Sequence, residues 1–519
     1  MPHRPPKTNP SRARRLVELA VLLLMAAVVA DTWLIGGLLV PLRIQGGSMA
    51  PALRGRHYCA TCDDCGHFFD VDGETRPQRG RFWCPNCGYW PVESAGRNGS
   101  AATKSSPLLL GDAVLVDRSA FAWRGPQRWE PVVLRHPEGA ERLCVKRVVG
   151  LPGEKVELRG GELLIDGRLA RKDFPAQRIM AAPVYDAAHR PFRNPTTPPR
   201  WQPPEPDSRW GRHGGRFAHG PRDEGVGGGV SNGRAVDRPA GGQANTSPGP
   251  RDGELDWLVY RHWKRFAGKA DGDGDRVEYA PVTDRCGYNQ TQPRRVESIA
   301  AVRDLMVEFR LVKLWGTGPL VVELADGRHR HALWLWPRAG RYEVRRDGQP
   351  LARTTGPLGQ PTEGALKGPV GGALSGRRVV VSLFDRQLTA ALEGRVLVRL
   401  PLADHSAEPP ADPIRIGAGR LGVILDGLRV LRDVYFNQPV GVDARWAVEK
   451  PVVLGPDEYF VLGDNSPISQ DSRTWPSGPA VNRRMLIGRP MLVWFPARQV
   501  RLGPWSLQVP DPAEIRYIR

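Results

Sequence analysis

The sequence of 519 residues is too long to fold around one compact core, and its hydrophobic content of 40% is sufficient for two or three domains. Its 74 Lys and Arg residues exceed its 55 Asp and Glu residues, and the net charge of +19 suits an anionic partner such as lipid headgroups or nucleic acid without choosing between them. The 50 prolines and 59 glycines exceed average usage and predict long loops with at least one disordered stretch.

The N-terminus combines a basic tail, residues 1–15, with a mostly apolar segment, residues 16–42. Its residues 19–42 would be about 36 Å long as a helix, which is enough to cross a hydrocarbon core of about 30 Å. We therefore expect one transmembrane anchor with its basic end in the cytoplasm. Asp31 opposes this interpretation, because a carboxylate near the membrane centre costs about 3 kcal/mol. The alternative is a cleavable signal that ends at residues 28–30.

A serine that could act as a nucleophile follows the apolar segment, in the sequence GGSMAP of residues 46–51. The hydroxyl of Ser48 is a poor nucleophile at neutral pH and needs a base to take its proton. Lys146 is a candidate base, because it lies in an apolar segment where burial, with the nearby charge of Arg147, would lower the pKa of its ammonium group. Alone, each residue is more often a loop serine or a surface lysine. A Ser/Lys pair is, however, a known variant of the catalytic triad.

A third motif is the polar, turn-forming segment of residues 463–473, directly after the apolar residues 459–462. Alone, such a segment could be only a tight loop. The three motifs follow one another behind a single apolar segment, and this order is more informative than any one motif. The candidate supporting residues of the third motif are Gly463, Asp464, Asn465, Ser469, Asp471 and Arg473.

In this order, the motifs resemble those of the type I signal peptidases, membrane serine proteases that remove signal peptides from exported preproteins. The resemblance covers residues 16–55, 107–175 and 440–500, which is under half of the chain. It implies an all-β catalytic fold in which Ser48 is the nucleophile and Lys146 the general base. It also implies that catalysis needs no cofactor.

The same resemblance implies roles for the third motif. Ser469 matches the position whose hydroxyl orients the lysine, and Asp471 and Arg473 match an ion pair that stiffens the segment. Gly463 and Asn465 are expected to set the turn.

The resemblance identifies only one of the hydrogen-bond donors of the oxyanion hole. The backbone N–H of Ser48 is expected to be one donor. Some members of the family add a side-chain hydroxyl two residues before the nucleophile, but this chain has Gly46 there.

The resemblance also implies the partners and the location of the protein. The substrates would be secretory preproteins with small residues before the cleavage site. Membrane lipid would be a second partner, and no nucleic acid is expected. The protein would be a single-pass protein of the cell (inner) membrane, with a cytoplasmic N-terminus and an extracytoplasmic catalytic domain.

Five of the seven cysteines lie in an insertion, residues 56–106, that the family pattern does not contain. Four of them form two C-x2-C motifs separated by 18 residues, a spacing typical of a structural tetrahedral zinc site in a zinc-ribbon-like module. Disulfides are the alternative, because the insertion should face an oxidising compartment. Cys59 could compete as a ligand. The four predicted zinc ligands are Cys62, Cys65, Cys84 and Cys87.

The predicted fold is mainly β, with the catalytic fold divided over residues 43–55, 107–180 and 440–519. Residues 181–255 are rich in Pro and Gly and predict a partly disordered linker, although its scattered tryptophans could be docked. Residues 256–439 contain strand-like segments at regular spacing with turn pairs between them, which predicts a β-sandwich. This part vaguely resembles a concanavalin-type jelly roll.

Two other functions remain open from the sequence. One is a self-cleaving Ser/Lys regulator that binds DNA, but we find no helix-turn-helix pattern, and the apolar anchor argues against it. The other is a membrane-tethered protein whose jelly roll binds glycans or proteins on a protease scaffold. The complete set of three motifs argues against a decayed protease.

Overall fold

The computed structural model describes residues 12–30, 37–74, 82–90, 107–192, 197–220, 255–266, 275–290, 300–351, 367–369, 373–402, 408–437, 445–502 and 505–518. Within these residues the protein is mainly β, which confirms the predicted class. The strands of its sheets pair antiparallel. The two α-helices are α1, Arg12–Val29, and α2, Phe174–Met180.

The expected transmembrane anchor over residues 16–42 is wrong in its extent. α1 ends at Val29, and β1, Leu39–Arg43, is a strand that pairs with residues 113–117. Pro41 explains part of the difference, because proline cannot continue a helix but is tolerated in an edge strand, which is where β1 lies. Within the described residues, we find no helix with the length and apolar character needed to cross a membrane.

The strands that follow β1 belong to the Cys-rich insertion and to the second part of the predicted catalytic domain. In chain order they are β2 His57–Thr61, β3 Phe68–Asp72, β4 Ala113–Asp117, β5 Pro131–His136, β6 Gly139–Gly150, β7 Lys155–Arg159, β8 Glu162–Ile165 and β9 Arg168–Leu169. β2 and β3 form a hairpin of their own. β7, β8 and β9 form a small meander.

The large insertion forms two eight-stranded sheets that share one core, as in a β-sandwich. Alternate side chains of its strands point between the sheets, and Val307, Val322, Val381 and Ile416 are completely buried there. Its strands are β10 Ala182–Asp186, β11 Trp201–Gln202, β12 Trp210–His213, β13 Arg216–His219, β14 Asp256–Tyr260, β15 Trp263–Phe266, β16 Arg276–Tyr279, β17 Leu305–Gly316, β18 Leu320–Ala325, β19 Arg330–Trp336, β20 Arg341–Arg346, β21 Gln349–Pro350, β22 Lys367–Pro369, β23 Arg378–Phe384, β24 Gln387–Leu392, β25 Arg395–Pro401, β26 Ile414–Ala418 and β27 Leu421–Arg432.

The order of strands in the first sheet is β12-β13-β27-β17-β23-β24-β25, with β10 also paired to β27. In the second it is β11-β14-β26-β18-β19-β20-β21, with β22 also paired to β20. β15 and β16 form a separate hairpin beside the sandwich.

The predicted linker over residues 181–255 is wrong in its first part, where the alternative of docked tryptophans is confirmed. β10 to β13 lie in this segment and add strands to both sheets of the sandwich. Trp201 and Trp210 are 3% and 6% exposed and belong to the sandwich core, so they bury enough apolar surface to order a segment rich in Pro and Gly. The rest of the predicted linker, residues 221–254, lies outside the described residues.

The chain then returns to the catalytic sheet. The last strands are β28 Val452–Val453, β29 Glu458–Leu462, β30 Val481–Asn482, β31 Leu486–Phe495, β32 Ala497–Leu502, β33 Trp505–Pro510 and β34 Arg516–Tyr517, with short 3-10 helices at Arg483–Met485 and Pro512–Glu514. The catalytic sheet has the order β1-β4-β31-β5-β6-β29-β30, with β34 also paired to β31.

The pairing of β6 with β29 positions the candidate site. Leu462, the last residue of β29, is opposite Arg147 of β6, and Val461 is opposite Val148. The third motif begins directly after β29, so it emerges beside Lys146 although the two are more than three hundred residues apart in sequence.

Candidate active site

The candidate base, Lys146, lies in the interior of the protein on β6. It is 3% exposed, and its Nζ donates to Ser469 Oγ at 3.1 Å. Burial lowers the pKa of the Lys146 amine below its ordinary value, although the nearby carboxylate of Asp471 opposes this shift. Because a neutral amine can accept a proton, Lys146 is a potential base at a buried position of the catalytic sheet.

The expectation that the charge of Arg147 lowers the pKa of Lys146 is wrong. Successive residues of a strand face opposite sides, so Arg147 points away from Lys146. Its Nε and Nη2 donate to the two carboxylate oxygens of Asp464 at 2.7 and 2.6 Å. The cation that contributes to the lowered pKa of Lys146 is Arg473.

The loop that carries Ser48 is docked on the third motif through its backbone. The N–H of Asn465 donates to the carbonyl of Ser48 at 2.9 Å, and the side-chain amide of Asn465 donates to the carbonyl of Gly47 at 2.9 Å. Met49 and Leu53 are 1% exposed and fix the other side of the loop in the core under β1 and β4. The side chain of Ser48 therefore lies on a loop held from both sides.

Gly463 is required by the close approach of three segments. A Cβ at this position would lie 2.2 Å from Ser469 Oγ and 2.5 Å from the carbonyl oxygen of Ser48. No side chain fits there without moving the nucleophile loop or the third motif. The glycine thus brings Ser48 and Ser469 close to each other.

A buried ion pair stiffens the third motif. Arg473 Nη2 lies 2.8 Å from Asp471 Oδ2, and neither side chain is exposed to solvent. Burial raises the pKa of Asp471, but the Arg473 charge outweighs this effect and holds the pKa below its ordinary value. Asp471 also accepts from the backbone N–H of Gly463 at 3.1 Å, which ties the end of the motif to its start.

Two further residues of this site could not be identified from the sequence, and both come from the large insertion. Asn289 and Asn465 exchange side-chain amide hydrogen bonds at 2.7 Å, and both residues are buried. The ring of Tyr288 lies against Gly47, where an added Cβ would be 2.8 Å from the ring. No motif marks either residue, so nothing in the sequence indicates that the insertion reaches the nucleophile loop.

The four cysteines of the two C-x2-C motifs lie together. We call residues 57–74 and 82–90, which contain them, the cysteine module. Their ligand atoms all lie within 4.8 Å of one another, and Sγ atoms of the two motifs approach to 3.6 and 3.7 Å. A disulfide would need about 2.05 Å, whereas four sulfurs at about 2.3 Å from a tetrahedral zinc are about 3.8 Å apart. The geometry therefore fits a tetrahedral metal better than disulfides.

The two halves of the cysteine module have the same local structure. In each, the glycine after the second cysteine has a positive φ, +70° at Gly66 and +68° at Gly88, and its N–H donates to the carbonyl of the first cysteine at 2.9 Å. Glycine adopts this conformation without steric cost. Cys59 is not part of the group; its Sγ donates to Asp70 at 3.2 Å.

The cysteine module packs on the sandwich through polar contacts. Asp64 forms a buried ion pair with Arg265. The Asn86 side chain accepts from the N–H of Asp186 at 2.7 Å, and the N–H of Trp83 donates to the side chain of Gln290 at 2.7 Å. The module is therefore held between the sandwich and the segment that contacts the nucleophile loop.

Comparison with known families indicates a peptidase. The family model described as "Signal peptidase, peptidase S26" matches residues 93–199 and 437–495, which include Lys146 and the third motif. This match supports a peptidase, which is a class of hydrolase.

Two curated relatives are similar over a short stretch. Signal peptidase I of Leptolyngbya laminosa is 28% identical over 85 residues, 15% of this chain and 40% of the relative. Probable signal peptidase I-2 of Synechocystis sp. is 25% identical over 84 residues, 15% of this chain and 37% of the relative. The chain thus spans well under half of the length of these relatives.

Solved structures give only distant likenesses. A sheep galectin-11 complex with glycerol covers 25% of this chain and 88% of its own at 11% identity, with a TM-score of 0.17. The Emp47p carbohydrate recognition domain covers 49% of this chain and 96% of its own at 11% identity, with a TM-score of 0.22. At these scores neither likeness carries an argument, so the jelly-roll resemblance stays a prediction.

Proposed function

We propose that this protein is a serine endopeptidase that removes signal peptides from exported preproteins by a Ser/Lys mechanism. One observation carries the proposal: a buried lysine, Lys146, donates to Ser469 inside the same motif that holds the loop of Ser48. A lysine whose pKa is lowered by burial can be neutral and can serve as a base. The family matches over Lys146 and the third motif are consistent with this chemistry.

In the proposed mechanism, Ser48 Oγ attacks the carbonyl carbon of the scissile bond while Lys146 Nζ takes its proton. Lys146 then protonates the leaving amine, and water releases the acyl group from Ser48. The Ser48 N–H stabilises the oxyanion. Ser469 orients the amine, and the Asp471–Arg473 pair keeps Ser469 in place.

A serine-reactive acylating probe tests the proposal directly. The full-length wild-type protein should be labelled in a time-dependent way, and Ser48→Ala should not be labelled. Ser119→Ala is the matched control, because Ser119 is exposed and distant in sequence from the motifs. Equal labelling of wild type and Ser48→Ala would reject Ser48 as the nucleophile.

The pH dependence follows from the burial of Lys146. Because burial lowers the pKa of its amine, the neutral form should appear below the ordinary lysine value of about 10.4. We expect kcat/KM to rise with pH through this lowered pKa, since only the neutral amine accepts the proton of Ser48. A pH profile on a peptide with small residues before the scissile bond measures this limb.

A histidine base would give a different profile. His136, the last residue of β5 in the catalytic sheet, packs edge-on against Trp475 and is the control position. An acidic limb near about 6.5 that disappears in His136→Gln would contradict the lysine mechanism. The same profile in Ser469→Ala tests whether its hydroxyl helps to orient the amine.

Asn289 is proposed as a positioning residue for the nucleophile loop. Asn289→Ala would remove the side-chain N–H that donates to the buried Oδ1 of Asn465, a loss worth about 1–3 kcal/mol, while the hydrogen bond from Asn465 to the Gly47 carbonyl stays. We expect kcat to fall about tenfold or more with a smaller change in KM. Gln290→Ala is the matched control, because Gln290 hydrogen-bonds Trp83 and not the third motif. Equal losses in both variants would argue for general destabilisation.

We also propose that Cys62, Cys65, Cys84 and Cys87 hold a structural zinc ion. Four cysteines leave no open coordination position, so the ion would order the cysteine module and take no part in catalysis. The support is the spacing of the sulfurs and the matching turns of the two motifs.

Association with membrane lipid is proposed on the basis of α1. The side chains of its large apolar residues from Leu16 to Val29 are about half exposed or more, an unusual arrangement for a helix surrounded by water. The net charge of +19 would favour anionic lipid. A variant that begins at residue 37 should no longer sediment with anionic vesicles, and unchanged sedimentation would reject α1 as the attachment.

A further inference from the structure

A cavity of about 480 Å³ lies between the cysteine module and the sandwich, and we call it the knuckle cleft. The module provides Trp83 and Trp90 to its wall, and the β15 hairpin provides Trp263 and Phe266. Two arginines, Arg200 and Arg285, also line it. The cleft therefore combines aromatic surface with positive charge.

Arg200 is a buried cation without a carboxylate partner in the part of the chain that the structure describes. It is 3% exposed and lies over the ring of Trp263, at 4.1 Å from the ring centroid. The Nη1 of Arg200 forms a hydrogen bond with the imidazole of His262. Burial and the Arg200 charge hold the pKa of His262 well below its ordinary value. That imidazole is neutral, and the buried Nε of Arg200 has no hydrogen-bond partner among the described residues.

Arg285 is a second cation without an acidic partner, and it is half-buried. Its guanidinium lies 3.8 Å from the centroid of the Trp83 ring, and no acidic side chain among the described residues forms an ion pair with it. Burial alone lowers its pKa to about 10.

The two other arginines of the cleft wall have partners, and Lys264 adds a further, half-buried positive charge to the wall. Arg265 pairs with Asp64 and Asp275, and Arg432 donates to the carbonyls of Asp284 and Arg285. A buried cation without a partner is unfavourable, and a bound carboxylate would remove this penalty through charge-assisted hydrogen bonds.

The knuckle cleft is connected to the candidate active site by a short segment. Arg285 and Gly287 line the cleft, and the next residue, Tyr288, lies against Gly47 beside Ser48. Asn289 then binds Asn465 of the third motif. A polypeptide that enters the active site would pass close to the cleft.

We propose that the knuckle cleft binds a segment of the polypeptide substrate in which an acidic side chain stands beside an aromatic one. The carboxylate would lie between Arg200 and Arg285, and the aromatic ring would lie against the tryptophans. This inference rests on the proposed function for the identity of the ligand as substrate. A peptide fits better than nucleic acid, because Arg200 and Arg285 stack on tryptophan rings inside one cleft and match a single carboxylate, whereas successive phosphates need a continuous row of cations.

Binding can be tested separately from cleavage with the full-length protein. Two fluorescein-labelled peptides without a cleavage site would be compared by anisotropy, one with Phe-Asp and one with Phe-Asn at its centre. We expect the Asp peptide to bind at least about tenfold more tightly, as for a charge-assisted hydrogen bond. Arg285→Gln should remove this preference, and Arg338→Gln, at an exposed arginine of the sandwich, should keep it.

Kinetics then connect the cleft to the active site. A short peptide substrate would be compared with the same substrate extended by the Phe-Asp segment on either side. The extension on the side of the scissile bond that reaches the cleft should lower KM about tenfold without raising kcat. Arg285→Gln should cancel this decrease in KM and leave the kinetics of the short peptide unchanged. If no peptide is cleaved but the Asp preference persists, the proposed function fails and the cleft stands.

Three outcomes would overturn the proposal. Equal binding of the Asp and Asn peptides would show that the two arginines do not bind a carboxylate. An equal loss in Arg338→Gln would show a general charge effect. Tighter binding of a single-stranded oligonucleotide than of the Asp peptide, lost in Arg285→Gln, would assign the cleft to nucleic acid.

Discussion

Lys146→Ala is expected to lower kcat/KM for a preprotein by about ten-thousandfold, because the variant has no base to take the proton of Ser48. Ser48→Ala should lose a similar amount, since the residual rate then comes only from binding and from the oxyanion donor. Cleavage of a purified preprotein, followed by gel mobility and mass of the mature product, measures both. Lys155→Ala, at an exposed lysine of β7, is the matched control and should retain full activity.

The double variant tests whether the two residues act as one unit. If Ser48 and Lys146 form a dyad, Ser48→Ala with Lys146→Ala should be no slower than either single variant. Multiplied losses would mean that they act independently. Because Lys146 is buried, Lys146→Met preserves volume and removes the amine, so an unchanged melting temperature in this variant separates catalysis from folding.

The local chemistry of the site could be predicted from the sequence because it is encoded in short motifs. Lys146 stands in an apolar run, so its burial follows from the side-chain pattern of a strand. Gly463 stands in a turn motif, and the structure adds the reason why no other residue fits.

The contacts made by the insertions could not be predicted, because they depend on how distant segments pack. Asn289 belongs to no motif, and its partner Asn465 lies 176 positions later in the chain. The strands β10 to β13 could not be predicted either. Pro and Gly dominate the composition of their segment, but a few buried aromatic residues determine its structure. Long-range packing of this kind overrides local propensity.

The predicted extent of the N-terminal helix is wrong for a similar reason. Hydropathy alone does not distinguish the end of a helix from an edge strand with apolar residues. Leu42 packs partly buried against the core under the catalytic sheet, and this contact is available only to a strand paired with β4.

The purified protein is expected to contain about one zinc ion per chain, and Cys84→Ser should remove it. Four thiolates bind structural zinc with a free energy of about 10–16 kcal/mol in small modules, so the loss of one ligand should be decisive. Elemental analysis measures the metal, and Cys59→Ser is the matched control because Cys59 lies outside the group of four. Absence of metal together with absence of free thiols among the four would favour disulfides.

Removal of the metal should also lower activity, because the cysteine module contacts the segment that packs on the nucleophile loop. A Cβ on Gly287 would lie 2.5 Å from Cβ of Pro85, so the second C-x2-C motif fits tightly against the segment that carries Tyr288. The N–H of Asp72 also donates to the Tyr288 carbonyl at 2.9 Å. Chelation should therefore lower kcat by loosening the nucleophile loop. The acidic limb of the pH profile should stay at the same pH, because Lys146 is buried on β6 and not in the cysteine module. Full activity after complete loss of zinc would show that the module and the nucleophile loop are not coupled.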